Sequence, residues 1–430
     1  MTQRSITDEE RVLIARAHDL FPGGSVGNVY NDVVIRRGQG SHVWDVSGNE
    51  YVDYLLGSGP MLLGHAHPEV VQAIRAHLDD GTTFFATHEL TIAWAEQIVA
   101  AVPCAERVRF TTSGTEATAL ALRAARAFRG RDRILKFEGG YHGMNDYALM
   151  SLAPADPPAF PQASCDSAGI PSCLQDQVLV APFNDLETTA AIIERYHSEL
   201  AAVIMEPFQR VICPQPGFLE GVREVTQRHN IPLIFDEIVT GFRFAYGGAQ
   251  QFYGVTPDLC TLGKAIAGGF PAAAIAGRVD IMECFDPSTR AVGKFTPQIG
   301  TFNGFPMAAA AGLATLEILR RSGTYDRLFA IGRQVMEALT GLLDEAKIPA
   351  QVVGEPPVFD VLFTDQPIVD YRSMLSGDQQ ILQRFNELLL AHGVFRGDTK
   401  FYISIVHSAE DIEQTKQALA RVIGELSGTT

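Results

Sequence analysis

Lys264 stands among small and apolar residues, in Thr261-Leu262-Gly263-Lys264-Ala265-Ile266-Ala267-Gly268-Gly269. An amine in so dry a setting is a better nucleophile toward a carbonyl carbon than one in water. Taken singly, a surface lysine on a tight turn reads the same way. Asp236 ends the apolar run Leu233-Ile234-Phe235, the kind of strand end where open α/β sheets place their ligand contacts. A buried carboxylate needs a partner, and a protonated ring nitrogen, a metal ion or a helix N-terminus would each serve. Ser113-Gly114-Thr115 follows the run 107–112 and opens a helix-like segment at Glu116. Two hydroxyls, unpaired amides and a helix dipole suit one phosphate monoester, although a plain helix cap needs no ligand. No Gly-Lys-Ser/Thr follows that turn and no GxGxxG follows a strand, which demotes nucleotides and dinucleotides.

Tyr141-His142 comes after Glu138-Gly139-Gly140. An aromatic ring there can stack on a flat ligand or merely pack in its loop. Glu206 ends another apolar run, and Gly300-Thr301-Phe302-Asn303-Gly304 offers a hydroxyl and backbone amides, or an ordinary turn. Each signal alone is modest. Their order is not: a phosphate turn, an aromatic residue, a strand-end Glu, a strand-end Asp, and a lysine 28 residues after that Asp. Together they make one site for pyridoxal 5′-phosphate (PLP), whose aldehyde a lysine can hold and whose ring nitrogen a carboxylate can keep protonated.

Six apolar runs must supply the strands that position these residues: Arg107–Thr111, Arg133–Phe137, Val178–Ala181, 201–205, 233–235 and Leu259–Leu262. Segments of helical period lie between them, 116–128 with Ala117, Leu120, Ala121, Ala124 and Phe128 on one face, then 187–197 and 221–229. The alternation predicts an α/β fold with a mostly parallel sheet covered by helices. Before it, 33–36, His42–Asp45 and 51–54 predict a small antiparallel meander turning at Ser47-Gly48-Asn49. After Pro306, helices are predicted over 308–319, 327–346 and 409–426, with strands near 358–363 and 401–406. Residues 57–306 are thus expected to form a large cofactor-binding domain, and 1–56 with 307–430 a smaller α+β domain. Residues 153–177, rich in Pro, Ser, Ala and Asp, lack any period and are expected to form a loop, either a lid or a passive insertion.

Composition narrows the classes. The 430 residues are 46% hydrophobic and 20% charged, ordinary for a globular chain. A net charge of −16 speaks against nucleic acid or an anionic membrane as partner, while a local pocket can still take one phosphate. No apolar stretch nears the roughly 20 residues a bilayer span requires. The N-terminal 21 residues read as an amphipathic helix with no secretory core. Six scattered cysteines form no CxxC pair, so no metal site is expected, and reduced thiols in a cytoplasmic protein are the simplest reading.

These motifs resemble the class III aminotransferases of PLP fold type I. The resemblance runs over residues 21–420. It is carried by WDVSGNEYVD at 44–53, Gly64-His65-Ala66-His67-Pro68, FTTSGTE at 110–116, Tyr141-His142-Gly143, Glu206-Pro207, Phe235-Asp236-Glu237 and Leu262-Gly263-Lys264. The wording is most similar to the branch of glutamate semialdehyde aminomutase and the β-amino-acid aminotransferases. Phe21-Pro22-Gly23-Gly24 and TGFRFAYGG at 240–248 are similar to the aminomutase.

The resemblance implies that Lys264 carries the cofactor and shuttles the proton between substrate Cα and cofactor C4′. It implies that Asp236 binds the ring nitrogen and that Ser113, Gly114 and Thr115 hold the phosphate. Tyr141 would stack on one ring face beside His142, with Ile238 (rather than Val239) on the other, and Glu206 would act in support near the imine. Thr301 would reach the phosphate of a neighbouring subunit, making a homodimer with shared sites. Tyr30, Met61, Phe84, Phe85 and Arg243 would line the substrate pocket, and Arg396 would meet a carboxylate. The implied reaction moves an amino group from an amine or amino-acid donor to a keto acid, aldehyde or ketone. Two departures weigh against the aminomutase reaction: Ser25-Val26-Gly27-Asn28-Val29-Tyr30 lacks that enzyme's arginine, and Gly397-Asp398-Thr399-Lys400-Phe401 lacks its glutamate. An aminomutase, racemase or decarboxylase on the same cofactor is the nearest alternative. A non-catalytic relative is a further one, against which the intact Lys264 and Asp236 argue.

Overall fold

The buried aliphatic runs form one seven-stranded sheet, in the spatial order Arg107–Thr111, Ala273–Gly277, Leu259–Leu262, Leu233–Glu237, Leu200–Met205, Arg133–Phe137, Val178–Ala181. The last five are mutually parallel. Ala273–Gly277 runs antiparallel to both its neighbours, so Arg107–Thr111 again points the same way as the five. Six strands therefore deliver their carboxyl ends to one edge of the sheet, where α/β folds gather ligand contacts. Ile204, Ile234, Leu259 and Ile275 are fully buried, as a sheet covered on both faces requires.

The computed structural model describes residues 4–29 and 32–428, and divides into two compact units. One unit is Gln72–Arg321 with Ile368–Leu375, and it holds the seven-stranded sheet. The other is Met1–Val71, Ser322–Pro367 and Ser376–Thr430. It contains a sheet ordered Ile35–Gln39, His42–Asp45, Glu50–Asp53, Val394–Phe395, and a second ordered Gln351–Glu355, Val358–Leu362, Phe401–Tyr402. Its long helices Thr324–Ala346 and Ala409–Ser427 pack together. No helix among the described residues is long and apolar enough to cross a membrane.

Several elements differ from expectation. Ala273–Gly277 was not foreseen as a strand, because its alanines and glycine have little intrinsic strand preference and only burial between two strands fixes them. The strand expected over 401–406 stops at Tyr402. There Ser404 Oγ donates to the Leu62 carbonyl and His407 Nδ1 accepts from the Ser404 amide, which turns the chain. The N-terminal helix Asp8–Leu20 buries Glu10, not an apolar residue. Arg4 Nη2 at 2.7 Å and the Val34 amide at 3.0 Å neutralise and pair that carboxylate. Residues 153–171 are irregular, with a 3₁₀ turn at Ser172–Gln177. They are tied down by Val180 N to Pro161 O (3.0 Å), Arg372 Nη2 to Pro158 O (2.6 Å) and Tyr371 Oη to Pro154 O (3.2 Å). Cys165 and Cys173 are free thiols.

Candidate active site

Helix Gly114–Arg129 begins where strand Arg107–Thr111 ends. Ser113 caps it in a reciprocal box: its Oγ accepts from the Glu116 amide, and Glu116 Oε2 accepts from the Ser113 and Thr112 amides. Partial burial raises the Glu116 pKa, but the hydrogen bonds from Thr112 and Ser113 outweigh it and hold the carboxyl below its ordinary range. The first turn of the helix thus faces the sheet edge with its dipole intact, an anion-binding arrangement.

Asp236 lies in strand Leu233–Glu237, 5% exposed. Its Oδ1 accepts from Thr261 Oγ1 at 2.9 Å and from the Ile238 amide at 3.2 Å, and its Oδ2 is 2.8 Å from Nδ1 of His142. Sheet register sets the first contact, since Asp236 and Thr261 are directly paired across parallel strands. Ile238 then turns over the edge. A β-carbon built on Gly114 would lie 3.2 Å from its Cδ1, and one on Gly263 would lie 2.9 Å away. One isoleucine side chain therefore touches the Ser113 turn and the residue before Lys264, and glycine at both positions is what lets it in.

Lys264 follows strand Leu259–Leu262 and starts a 3₁₀ turn to Ala267 with a positive φ of 46°. A non-glycine residue in that region is held there by its surroundings, often at functional sites. Tyr141 is 38% exposed. Its amide donates to Glu206 Oε2 at 2.9 Å, so Glu206 shapes the tyrosine's loop, and Arg210 lies over its ring. Burial raises the Tyr141 hydroxyl pKa, keeping it neutral. Thr115 and Gly143 are in close contact: a β-carbon on Gly143 would come 2.6 Å from Thr115 Oγ1, which also accepts from the Met144 amide. The contacts close a ring through Thr115, Gly143, His142, Asp236, Ile238 and Gly114, with Gly263 attached to it through Ile238.

Other expected residues lie elsewhere. Thr301 is exposed beside Phe85, Ile92, Arg109 and Ile299, around a cavity of about 470 Å³. Arg243 is fully buried. Met61 and Arg396 belong to the other unit, where Arg396 pairs with Asp360 at 2.8 Å. Tyr30 lies outside the described residues. Two supporting residues went unread in the sequence: Thr261, on Asp236, and Gln209, whose Nε2 donates to the Glu138 carbonyl at 2.7 Å at the start of the Tyr141 loop. Thr261 could have been found as the register partner of Asp236. Lys136, fully buried, donates to the Ala148 and Met150 carbonyls at 2.9 and 2.6 Å; burial pushes its pKa down to about 7. The strand-end Glu237 is buried, which raises its pKa, and it anchors the following loop through Thr240, Ala249 and Gln250.

The N-terminus of helix Gly114–Arg129, the buried carboxylate of Asp236 and Lys264 thus gather at the carboxyl ends of neighbouring strands. The class III aminotransferase family model matches residues 25–423, and the chain belongs to that family. It is 40% identical over 427 residues to a glutamate-1-semialdehyde 2,1-aminomutase of Desulfitobacterium hafniense, covering 96% of this chain and 97% of that protein. An omega-transaminase from Sphaerobacter thermophilus superposes with a TM-score of 0.92 at 35% identity, covering 97% of each chain. A transaminase with PLP bound gives 0.90 at 32% identity, covering 99% of each. The fold is that of the PLP fold type I enzymes, and the cofactor is pyridoxal 5′-phosphate.

Proposed function

We propose that this chain is a transaminase, moving an amino group from a small amine or amino acid to a keto acid, aldehyde or ketone. The observation that carries this reading is the superposition on the Sphaerobacter omega-transaminase over 97% of both chains. The absence of an arginine from Ser25-Val26-Gly27-Asn28-Val29-Tyr30, where the aminomutase has one, supports it from the sequence.

When bound, the cofactor supplies the electron sink that makes a Cα hydrogen acidic. Lys264 would hold the cofactor through its Nζ, and the same amine, once released, would be the group that takes up and returns the substrate's Cα proton. Asp236, fixed by Thr261, Ile238 N and His142, would hold the ring nitrogen in its protonated form. The turn of Ser113, Gly114 and Thr115 would hold the phosphate, the Gly114 and Thr115 amides being its donors while the Ser113 amide is taken by Glu116. Tyr141 and Ile238 would lie on the two faces of the ring, and Glu206 sets the tyrosine's backbone. Arg243, Met61, Tyr30 and Arg396 remain the proposed substrate contacts.

The functional form in this reading is a homodimer, with Thr301 reaching the neighbouring subunit's phosphate. Supporting it, Phe85, Ile299 and Phe302 are 70%, 83% and 53% exposed around Thr301, an apolar surface of the kind that marks an interface.

One observation favours a second reading: the 40% identical relative is an aminomutase. Single-turnover chemistry separates the two. A transaminase given only a donor releases one equivalent of carbonyl product and keeps the amino group on the cofactor. An aminomutase returns an isomer and accumulates no carbonyl product; that outcome would overturn the transaminase assignment.

A further inference from the structure

Arg210 stands where a turn asks for glycine. After strand Leu200–Met205 the chain folds back on itself: the Gln209 amide donates to the Ile212 carbonyl at 3.1 Å, and the Ile212 amide to the Gln209 carbonyl at 2.8 Å. Arg210 is the first of the two residues at the tip, with a φ of 62°. Two-residue turns closed in this way favour glycine there, because a side chain at positive φ crowds its own backbone. An arginine held in that conformation costs free energy, and such positions gather at functional sites, where the side chain has a task.

The side chain reaches the Tyr141 loop. Its Nε donates to the Gly139 carbonyl at 2.8 Å, and its Cζ lies 5.2 Å from the centre of the Tyr141 ring. The two Nη groups, the prongs of the fork, bond to nothing among the described residues. The neighbouring acids are engaged elsewhere. Glu138 receives Nε and Nη2 of Arg372 at 2.7 and 3.0 Å, and Glu206 Oε2 receives the Tyr141 amide at 2.9 Å. Of the other arginines considered for a substrate, Arg243 is fully buried and Arg396 is paired with Asp360 at 2.8 Å. Arg210 is only half-buried, and its charge is the one beside Tyr141 that a ligand can meet.

We propose that Arg210 is a specificity-determining residue that grips a carboxylate of the substrate through its two Nη groups, so that the chain prefers amino acids and keto acids to amines and carbonyl compounds without an acid group. A planar guanidinium meets a carboxylate with two parallel hydrogen bonds. The bond from Nε to Gly139 and the Tyr141 ring hold the fork in place before the ligand arrives, which lowers the entropy lost on capture. A net charge of −16 repels anions at long range, so a preference for them needs such a local cation. The inference rests on the proposed placement of Tyr141 against the cofactor ring, which brings Arg210 beside the bound substrate.

Aminooxyacetate and O-methylhydroxylamine both capture the cofactor aldehyde, and only the first carries a carboxylate. Capture is not turnover, and it proceeds whether the chain is a transaminase or an aminomutase. Followed by the change in holoenzyme absorbance, wild type should react faster with aminooxyacetate. In Arg210→Gly, whose glycine suits the turn, that preference should fall by about 10-fold or more, the size of one lost charge-assisted hydrogen bond, with the O-methylhydroxylamine rate unchanged. Arg210→Gln, which removes the charge at similar length, should match it and provides the readout should Arg210→Gly not fold. No preference in wild type, a preference unchanged in a folded variant, or both reagents slowed equally, as a loosened Tyr141 loop alone would do, would overturn the proposal.

Discussion

Oδ2 of Asp236 lies 2.8 Å from Nδ1 of His142, between side chains that are 3% and 2% exposed and 94 residues apart in sequence. A carboxylate so enclosed has few ways to move, and its other oxygen is held by Thr261 and the Ile238 amide. Replacing Asp236 with Asn keeps the shape and removes the charge. The first half-reaction should slow by about 10²-fold or more, in line with the loss of one preorganised electrostatic contact. Stopped-flow absorbance with a saturating amine donor measures it, and a rate within a factor of about two of wild type would show that the charge is idle.

Gly143 has a φ of 85° and leaves its missing β-carbon only 2.7 Å from Thr115 Cα. Gly143→Ala should push the Tyr141-His142 loop off the helix N-terminus. Backbone strain and overpacking together should cost about 1–3 kcal/mol, read as weaker cofactor binding in an absorbance titration and a lower Tm of the apoenzyme.

Lys136 gives a pH signature. Its folded pKa, about 7, lies below the ordinary 10.5, so between those values the unfolded chain binds a proton that the folded chain does not. Stability must then rise with pH across that window, and the penalty for burying this lysine is complete below it. Lys136→Met removes the titration. The unfolding free energy of wild type relative to the variant should climb between about pH 7 and pH 10 by up to about 1.4 kcal/mol per unit. Denaturant melts of the apoenzyme at a series of pH values check this, and parallel curves would refute it.

Ile299, 83% exposed beside Thr301, sits on the surface proposed to meet a second copy. Ile299→Asp should shift the sedimentation coefficient from dimer to monomer and weaken cofactor binding at the same time, because Thr301 would lose its target. A dimer unchanged in both respects would place the subunit contact elsewhere.

Most of the central unit was legible because its strands are runs of branched aliphatic residues and its helices carry one apolar face. Arg107–Thr111, Arg133–Phe137, Val178–Ala181 and Leu259–Leu262 fall where the pattern put them. Ala273–Gly277 was illegible for the opposite reason: small side chains give no period, and only the flanking strands make it one. The site divides in the same way. Lys264, Asp236 and the Ser113 turn carry local signals, in desolvation, strand ends and caps. Gln209 and Thr261 act through contacts made across the sheet edge, and no local pattern marks them. Glu10 shows the limit from another side, since a carboxylate on an amphipathic helix reads as solvated until Arg4 and Val34 are seen around it.

Borohydride reduction of the purified holoenzyme, followed by peptide mapping, bears most directly on the site. A single pyridoxyl group, close to one per chain, should be found on Lys264, and Lys264→Ala should bind the cofactor without retaining any label. A stable label on Lys136 or any other lysine, or a wild-type holoenzyme that reduction leaves unlabelled, would show that this sheet edge is not where the cofactor is held.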